Sequence, residues 1–140
     1  MAILDYECDS SALAPDVKRG IDFLYEAADR KEACAAWAGC FSKNAKLIKG
    51  DYGPTGVPEL QKYLEESWNN TDSRVHDVKK VSIMNESPLT LKIEGITTYQ
   101  RSGGKEQQGE WTAEQSYVDE DGWKKISQYK INFVSFGILA

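Results

Sequence analysis

The spacing of apolar residues changes once along the chain, close to residue 72. Before that point apolar positions recur at intervals of three and four, which is the period of an amphipathic helix. Val17, Ile21, Leu24 and Ala28 follow this spacing. After that point apolar and polar residues alternate, as they do in a half-buried strand. The pattern therefore predicts helices in the first half of the chain and a sheet in the second.

The predicted elements describe one α+β domain in which three helices pack against a strongly curved, mainly antiparallel sheet. The helices are predicted over 15–29, 31–40 and 57–69, with a short strand at 44–48. Longer strands are predicted over 74–84, 89–100, 108–119 and 123–134, joined by segments with tight-turn residues. Residues 1–14 are predicted to form an N-terminal arm, 15–134 the domain, and 135–140 a C-terminal tail.

The first long strand carries an irregularity in its pattern. Arg74, His76 and Val78 share one face of a regular strand, whereas Val81 has the opposite parity. A bulge within residues 77–80 would bring both sets to the same side. Since a bulge also bends its strand, the sheet is predicted to curve there.

The strand over 108–119 has one apolar and one polar face. Trp111, Ala113 and Tyr117 share the face that is predicted to point inward. Gln115 lies on the same face, which makes it a buried polar group that needs a hydrogen-bond partner or a ligand.

Composition excludes several classes of function. The 140 residues carry a net charge of −5, and Lys and Arg are scattered, so the basic footprint of a nucleic-acid-binding protein is missing. The glycine-rich loop at 50–56 lacks the ending of a phosphate-binding loop. No apolar run is long enough to span a membrane, and the N-terminus has no signal-peptide pattern. Three cysteines without a CxxC spacing and a single histidine predict free thiols, no metal site, no cofactor and a cytoplasmic location.

An ordered set of short motifs runs through residues 16–134: Phe23–Asp29, Phe41–Leu47, Gly56, Trp68, Ser73-Arg74-x-His76-x-Val78, Gly95-x-x-x-Tyr99, Trp111-x-Ala113 and Tyr129. This set resembles the SnoaL-like proteins of the nuclear transport factor 2-like superfamily, and among them it is most similar to small fungal members. The resemblance implies a cone with a pocket open at one end. It also implies a homodimer that pairs through the outer face of the sheet.

The resemblance leaves the reaction open, because the superfamily includes ketosteroid isomerases, polyketide cyclases, dehydratases, epoxide hydrolases and binding proteins without activity. The Asp-Arg-Asp arrangement of limonene-type epoxide hydrolases is not recognisable in this chain, which disfavours that chemistry. The remaining expectation is a cofactor-independent isomerase, cyclase or dehydratase acting on a polyketide- or terpenoid-like compound. The alternatives are a carrier of an apolar ligand and a dimeric scaffold with a closed cone.

Two residues are candidates for acid–base catalysis. His76 is the only histidine, and an imidazole can accept and donate protons near neutral pH. Asp29 ends the apolar face of the first predicted helix, and a carboxyl group in an apolar cavity can serve as base or acid. Each has a structural alternative: His76 can hold the fold together through hydrogen bonds, and Asp29 can cap the second helix.

A group of aromatic side chains is expected to form the wall for a small apolar or aromatic molecule, since rings bind planar ligands and phenols can hydrogen-bond an oxygen. The predicted binding residues are Tyr25, Trp37, Tyr52, Tyr63, Trp68, Tyr99, Trp111, Gln115 and Tyr129. Aromatic residues also fill ordinary cores, so some of these are expected to have only a packing role.

Overall fold

The structure is a computed structural model that describes residues 7–8 and 13–138, and in it the helices and strands follow the predicted order. In chain order the elements are β1 (Glu7–Cys8), α1 (Pro15–Ala28), a 3₁₀ turn (Lys31–Ala33), α2 (Cys34–Ala38), β2 (Phe41–Lys49), α3 (Val57–Ser67), β3 (Thr71–Glu86), β4 (Leu89–Arg101), β5 (Glu106–Glu120) and β6 (Trp123–Ile138). None of the helices in this part of the chain is long and apolar enough to cross a bilayer.

All strands in the described part of the chain belong to a single mixed sheet with the order β1-β3-β4-β5-β6-β2. Strands β3 to β6 form an antiparallel meander, which confirms the prediction for the second half of the chain. A parallel strand lies at each edge, because β1 pairs with β3 and β2 pairs with β6. The chain is therefore α+β, with helices and sheet sharing one core.

The predicted bulge in β3 is present and explains the change of parity. The pairing of β3 with β4 shifts register between Val78 and Lys80. As a result Val78 and Val81 are both buried, with 2% and 1% of their surface exposed. The shift lets one long strand keep its apolar residues against the helices on both sides of the bend.

Two segments of the first half differ from the prediction. The segment at 31–40 is a 3₁₀ turn followed by a short helix that stops at Ala38, because the Cys40 carbonyl accepts a hydrogen bond from the Ile126 N–H at 3.0 Å. The strand predicted at 44–48 extends over Phe41–Lys49 because it pairs with β6 at both of its ends, at Phe41 and again over Lys46–Lys49. In both cases a contact with β6, far away in sequence, overrides the local pattern.

The two chain ends contribute strands as well. Within the predicted arm, Glu7–Cys8 pairs with Lys80 and Val81 of β3, and the remainder up to residue 12 lies outside the described residues. Within the predicted tail, β6 continues to Ile138, so the boundary at 135 does not coincide with the end of the strand. The extension pairs with the first residues of β5.

Helix α1 supplies much of the core. Val17, Ile21, Leu24 and Ala28 are buried, and they lie on the stripe that the sequence predicted. They pack against the inner face of the sheet, where Leu91 and other fully buried side chains lie. The polar face of α1 points away from the sheet, and the helix ends where β3 begins to pass beside it.

Cys34 and Cys40, the cysteines whose side chains are described, are free thiols. The Cys34 Sγ donates to the Lys31 carbonyl at 3.4 Å and the Cys40 Sγ to the Ala36 carbonyl at 3.6 Å. Burial raises the pKa of Cys40 to about 11, so this thiol stays protonated at neutral pH.

Candidate active site

A cavity of about 210 Å³ opens between the helices and the inner face of the sheet. It is lined by Tyr25, Ala28, Trp37, Lys49, Tyr63, Leu64, Ser67, Arg74, His76, Thr97, Tyr99, Arg101, Trp111, Tyr129, Ile131 and Phe133. Six of the predicted aromatic residues and His76 are therefore in one cavity. The helices supply one wall, and strands β2 to β6 supply the other.

Asp29 and His76 contact each other at the edge of this cavity. Asp29 is the residue that follows the last turn of α1, and His76 lies on the part of β3 that passes this turn. The Asp29 Oδ1 lies 2.6 Å from the His76 Nδ1. Both carboxylate oxygens also accept the backbone N–H of His76, at 3.1 and 3.0 Å. One carboxylate thus holds both the ring and the backbone of the same residue.

This arrangement fixes the role of each ring nitrogen. Because a carboxylate can only accept, Nδ1 carries the proton when the imidazole is neutral. The Nε2 is then a free acceptor, and it has no hydrogen-bond partner among the described residues. The Asp29 side chain makes no cap for the following 3₁₀ turn or for α2, so the capping interpretation is not realised.

Aromatic rings hold the imidazole on the cavity side. Its ring centroid lies 5.4 Å from that of Tyr25 and 6.0 Å from that of Trp111. Trp111 is itself fixed by a hydrogen bond from its Nε1 to the Thr97 Oγ1 at 2.8 Å. Gly95 makes room for this indole, since a Cβ there would lie 2.5 Å from the Trp111 ring. The glycine of the Gly95-x-x-x-Tyr99 motif therefore allows Trp111 to form part of the cavity wall.

A chain of buried polar groups crosses the floor of the cavity. The Tyr117 hydroxyl donates to the Gln115 Oε1, and the Gln115 Nε2 donates to the Tyr25 hydroxyl at 3.4 Å. The Tyr25 and Tyr129 hydroxyls lie 2.8 Å apart. If every donor in this chain points the same way, the Tyr129 O–H is left to donate into the cavity. Burial raises the pKa of Tyr25 and of Tyr129 above the usual value, which keeps both phenols protonated.

Three cationic side chains line the cavity that were not among the predicted site residues: Lys49, Arg74 and Arg101. The Arg74 Nε donates to the Ala28 carbonyl at 2.7 Å, and its Nη1 donates to the Ser67 Oγ at 2.7 Å. Arg74 thereby joins the ends of α1 and α3. Arg74 could have been predicted as a site residue, because it shares one face of the predicted strand with His76. Nothing in the sequence pointed to Lys49 or Arg101.

Three of the predicted binding residues do not line the cavity. Tyr52 is 53% exposed and stacks on Tyr63, with ring centroids 5.7 Å apart. Trp68 lies behind the cavity wall, where its ring packs 4.1 Å from the Arg74 guanidinium. Gln115 is fully buried below the floor and meets the tyrosine hydroxyls there, which answers its predicted need for a partner.

Metal ligands do not gather at this site. Among the described residues, no group of three or more His, Cys, Asp or Glu side chains is placed to hold a metal ion. The cavity and its edge present an imidazole with its carboxylate, four phenols and three cations.

Solved structures with the same arrangement of helices and strands come from several bacteria. A candidate scytalone dehydratase from Novosphingobium aromaticivorans superposes with a TM-score of 0.79 and 13% identity over 89% of this chain and 86% of its own. The hexachlorocyclohexane dehydrochlorinase LinA-type3 from Novosphingobium barchaimii superposes with a TM-score of 0.75 and 15% identity, over 88% and 90%. ActVI-ORFA from Streptomyces coelicolor has a TM-score of 0.73 and 11% identity, over 85% and 95%.

The chain has the fold of these proteins. Both the resemblance to the nuclear transport factor 2-like superfamily and the closer likeness to its small fungal members stay predictions, because the comparison concerns the fold only. No protein-family profile and no curated protein sequence matches the chain. At identities this low the likeness concerns the fold alone, so the reaction has to be argued from the site.

Proposed function

We propose that this protein is a cofactor-independent acid–base enzyme that removes a proton from a carbon atom and eliminates a small leaving group, as a dehydratase does. One observation carries the proposal. The 2.6 Å contact of Asp29 with the His76 Nδ1 leaves Nε2 as a base beside a cavity. An imidazole held in one tautomer by a carboxylate is an arrangement that general-base catalysis uses widely.

In the proposed step, the Nε2 lone pair of His76 takes a proton from a substrate carbon. The electron pair of that C–H bond forms a C=C bond, and a hydroxyl group on the neighbouring carbon departs with its own bonding pair. The imidazolium then returns the proton to the departing hydroxide, so water leaves and the imidazole is regenerated. Asp29 accepts the Nδ1–H throughout and stabilises the imidazolium while it exists.

Tyr129 is proposed to stabilise negative charge that develops on an oxygen of the substrate. Its hydroxyl is at the end of the polar chain that runs from Tyr117 through Gln115 and Tyr25. Since burial keeps the pKa of Tyr129 above its usual value, the phenol remains a donor throughout the neutral range. A donor already oriented in a site with little water stabilises an oxyanion at no cost of reorganisation.

Two of the similar structures bear names of enzymes that carry out eliminations, a dehydratase and a dehydrochlorinase, which favours elimination over isomerisation or cyclisation. A polyketide- or terpenoid-like substrate remains part of the proposal. A closed scaffold is disfavoured by the open cavity, and a carrier without activity is the remaining alternative. A carrier would bind ligands equally well without His76, whereas an enzyme would lose its chemistry.

The experiment that tests the proposal uses 5-nitrobenzisoxazole as a probe of general-base strength. Removing its C3 proton breaks the N–O bond and releases a coloured phenolate, so no natural substrate is needed. We expect wild-type protein to accelerate this ring opening and His76→Ala to lose roughly 10²–10⁴-fold of the acceleration, the usual contribution of a positioned base. Added imidazole should restore part of the rate in the His76→Ala variant by occupying the space left by the ring.

The matched control is Asp77→Asn, which changes an exposed carboxylate one residue along β3 that pairs with Lys79 at 2.6 Å. This variant should react like wild type. Equal rates for wild type and His76→Ala, with both folded, would overturn the proposal and favour the carrier.

A further inference from the structure

Arg74 has one nitrogen that the fold leaves without a partner. The side chain is buried, with 6% of its surface exposed, and its Nε and Nη1 are used by the Ala28 carbonyl and the Ser67 hydroxyl. The Nη2 is also buried, and it has no hydrogen-bond partner among the described residues. An unpaired donor on a buried cation is costly, so such a group is a place where water, an ion or a ligand binds.

The charges around this nitrogen are mostly of one sign. Lys49 and Arg101 line the same cavity as Arg74, and no Asp or Glu is among its described lining residues. Asp29, behind His76, is the nearby carboxylate, and it offsets one of the three positive charges. The excess is local, since the whole chain has a net charge of −5.

The two outer cations are held in place by aromatic rings. The Lys49 Nζ lies 4.8 Å from the centre of the Phe133 ring, and the Arg101 guanidinium lies 4.3 Å from that of Tyr99. The pKa of Lys49 is lowered, first by partial burial and then by repulsion from Arg101 and Arg74. A bound anion would relieve this repulsion, whereas an apolar ligand would leave it unchanged.

We infer that the molecule bound in this cavity is a small carboxylate, whose anionic group pairs with the Arg74 Nη2 and faces Lys49 and Arg101. This inference rests on the proposed function, in which the same molecule presents a C–H bond to His76. It refines the expected small apolar or aromatic molecule to one with an apolar or aromatic body and an acidic end.

The spacing along β3 fits this orientation. Arg74 and His76 are next neighbours on one face of a regularly paired stretch, so their Cα atoms are separated by roughly 7 Å. A carboxylate on Arg74 would thus place a carbon a few bonds away near the His76 Nε2. A phosphate monoester fits less well, because its three strong acceptor oxygens and roughly two charges exceed what one buried Nη2 can satisfy.

The test compares benzoate with benzamide, two ligands of nearly equal shape that differ in charge, by isothermal titration calorimetry at low salt. We expect benzoate to bind at least tenfold more tightly than benzamide, and added sodium chloride to weaken only the benzoate complex. Lys49→Met should weaken benzoate binding about fivefold while leaving benzamide unchanged. Lys46→Met is the matched control, because it removes an equal charge from an exposed residue of the same strand outside the cavity.

Three results would overturn the inference: benzamide binding as tightly as benzoate, no benzoate binding at millimolar concentration, or equal losses in Lys49→Met and Lys46→Met. Inorganic phosphate that displaces benzoate at an equal concentration would also overturn it, because the site would then lack a preference for carboxylates. Each result is independent of the ring-opening assay. If benzoate does not bind but the ring-opening assay shows that His76 acts as a base, the proposed reaction stands and only the carboxylate substrate class is rejected.

Discussion

Replacing Asp29 by Asn tests what the carboxylate does for His76. An asparagine with its oxygen in the place of Oδ2 accepts the His76 backbone N–H, and its NH₂ group in the place of Oδ1 then faces Nδ1 and donates to it. Nδ1 becomes an acceptor, the proton moves to Nε2, and the base that faces the cavity is lost. The substitution therefore changes the tautomer while preserving the shape of the side chain.

The expected magnitudes follow from the contacts that change. Hydrogen bonds to a charged group contribute about 1.5–3 kcal/mol and neutral ones about 0.5–1.5 kcal/mol, so losing the charge should cost about 1 kcal/mol of unfolding free energy. For a chain of this size that lowers the thermal midpoint by about 4 °C. The rate of 5-nitrobenzisoxazole opening should fall far more, by roughly 10²–10⁴-fold.

The assay pairs thermal unfolding followed by circular dichroism with the ring-opening rate, on wild type, Asp29→Asn and the control Asp77→Asn. The control should change neither quantity, because its carboxylate is exposed. A variant Asp29→Asn with the wild-type rate would refute the reasoning about the tautomer. A midpoint lowered several times more than expected, with the rate per folded molecule unchanged, would assign Asp29 a purely structural role.

The remaining predictions concern the wall, the floor and the outside of the sheet. Gly95→Ala should lower the free energy of unfolding by about 1–3 kcal/mol in a denaturant titration and shift the fluorescence of Trp111, since its Cβ would lie 2.5 Å from the indole. The control Gly20→Ala, whose Cβ would have nothing within 4 Å, should raise the free energy of unfolding by about 0.5–1 kcal/mol. Equal effects of the two substitutions would show that the indole does not restrict position 95. The raised pKa values of Tyr25 and Tyr129 mean that these phenols stay protonated in the folded state while the unfolded chain ionises near pH 10. These two phenols therefore leave the free energy of unfolding unchanged below about pH 10, and above it each lowers that free energy by roughly 1.4 kcal/mol per pH unit. Tyr129→Phe should therefore make the fall of the thermal midpoint with pH visibly shallower. The predicted homodimer should appear in light scattering at micromolar concentration, and a monomer would count against pairing through the outer sheet face.

Much of the fold could be predicted because it depends on short-range patterns. The stripe on α1 follows from the spacing of its apolar residues, and the bulge in β3 follows from the parity of Val78 and Val81. The parallel pairing of β2 with β6 could not be predicted in this way. It joins segments about eighty residues apart, and neither segment carries a local mark of its partner.

The candidate site was predicted in part for a similar reason. A lone histidine and a carboxylate at a helix end are conspicuous in any sequence, and the chain brings them together. Lys49 and Arg101 look like ordinary surface cations, because charged residues are usually exposed. Their position at the cavity depends on how the sheet curves. Tyr52, between β2 and α3, and Trp68, at the end of α3, lie outside the cavity lining.

The tautomer of His76 is the most direct test of the proposed base, and the chain makes the measurement simple because it has only one histidine. Protein labelled with ¹⁵N at histidine and purified without a histidine tag gives one imidazole spin system in a long-range ¹H–¹⁵N correlation spectrum. We predict that the neutral ring carries its proton on Nδ1 and has a bare Nε2, with the reverse in Asp29→Asn. A neutral wild-type ring with its proton on Nε2, or one that exchanges freely between both tautomers, would contradict it.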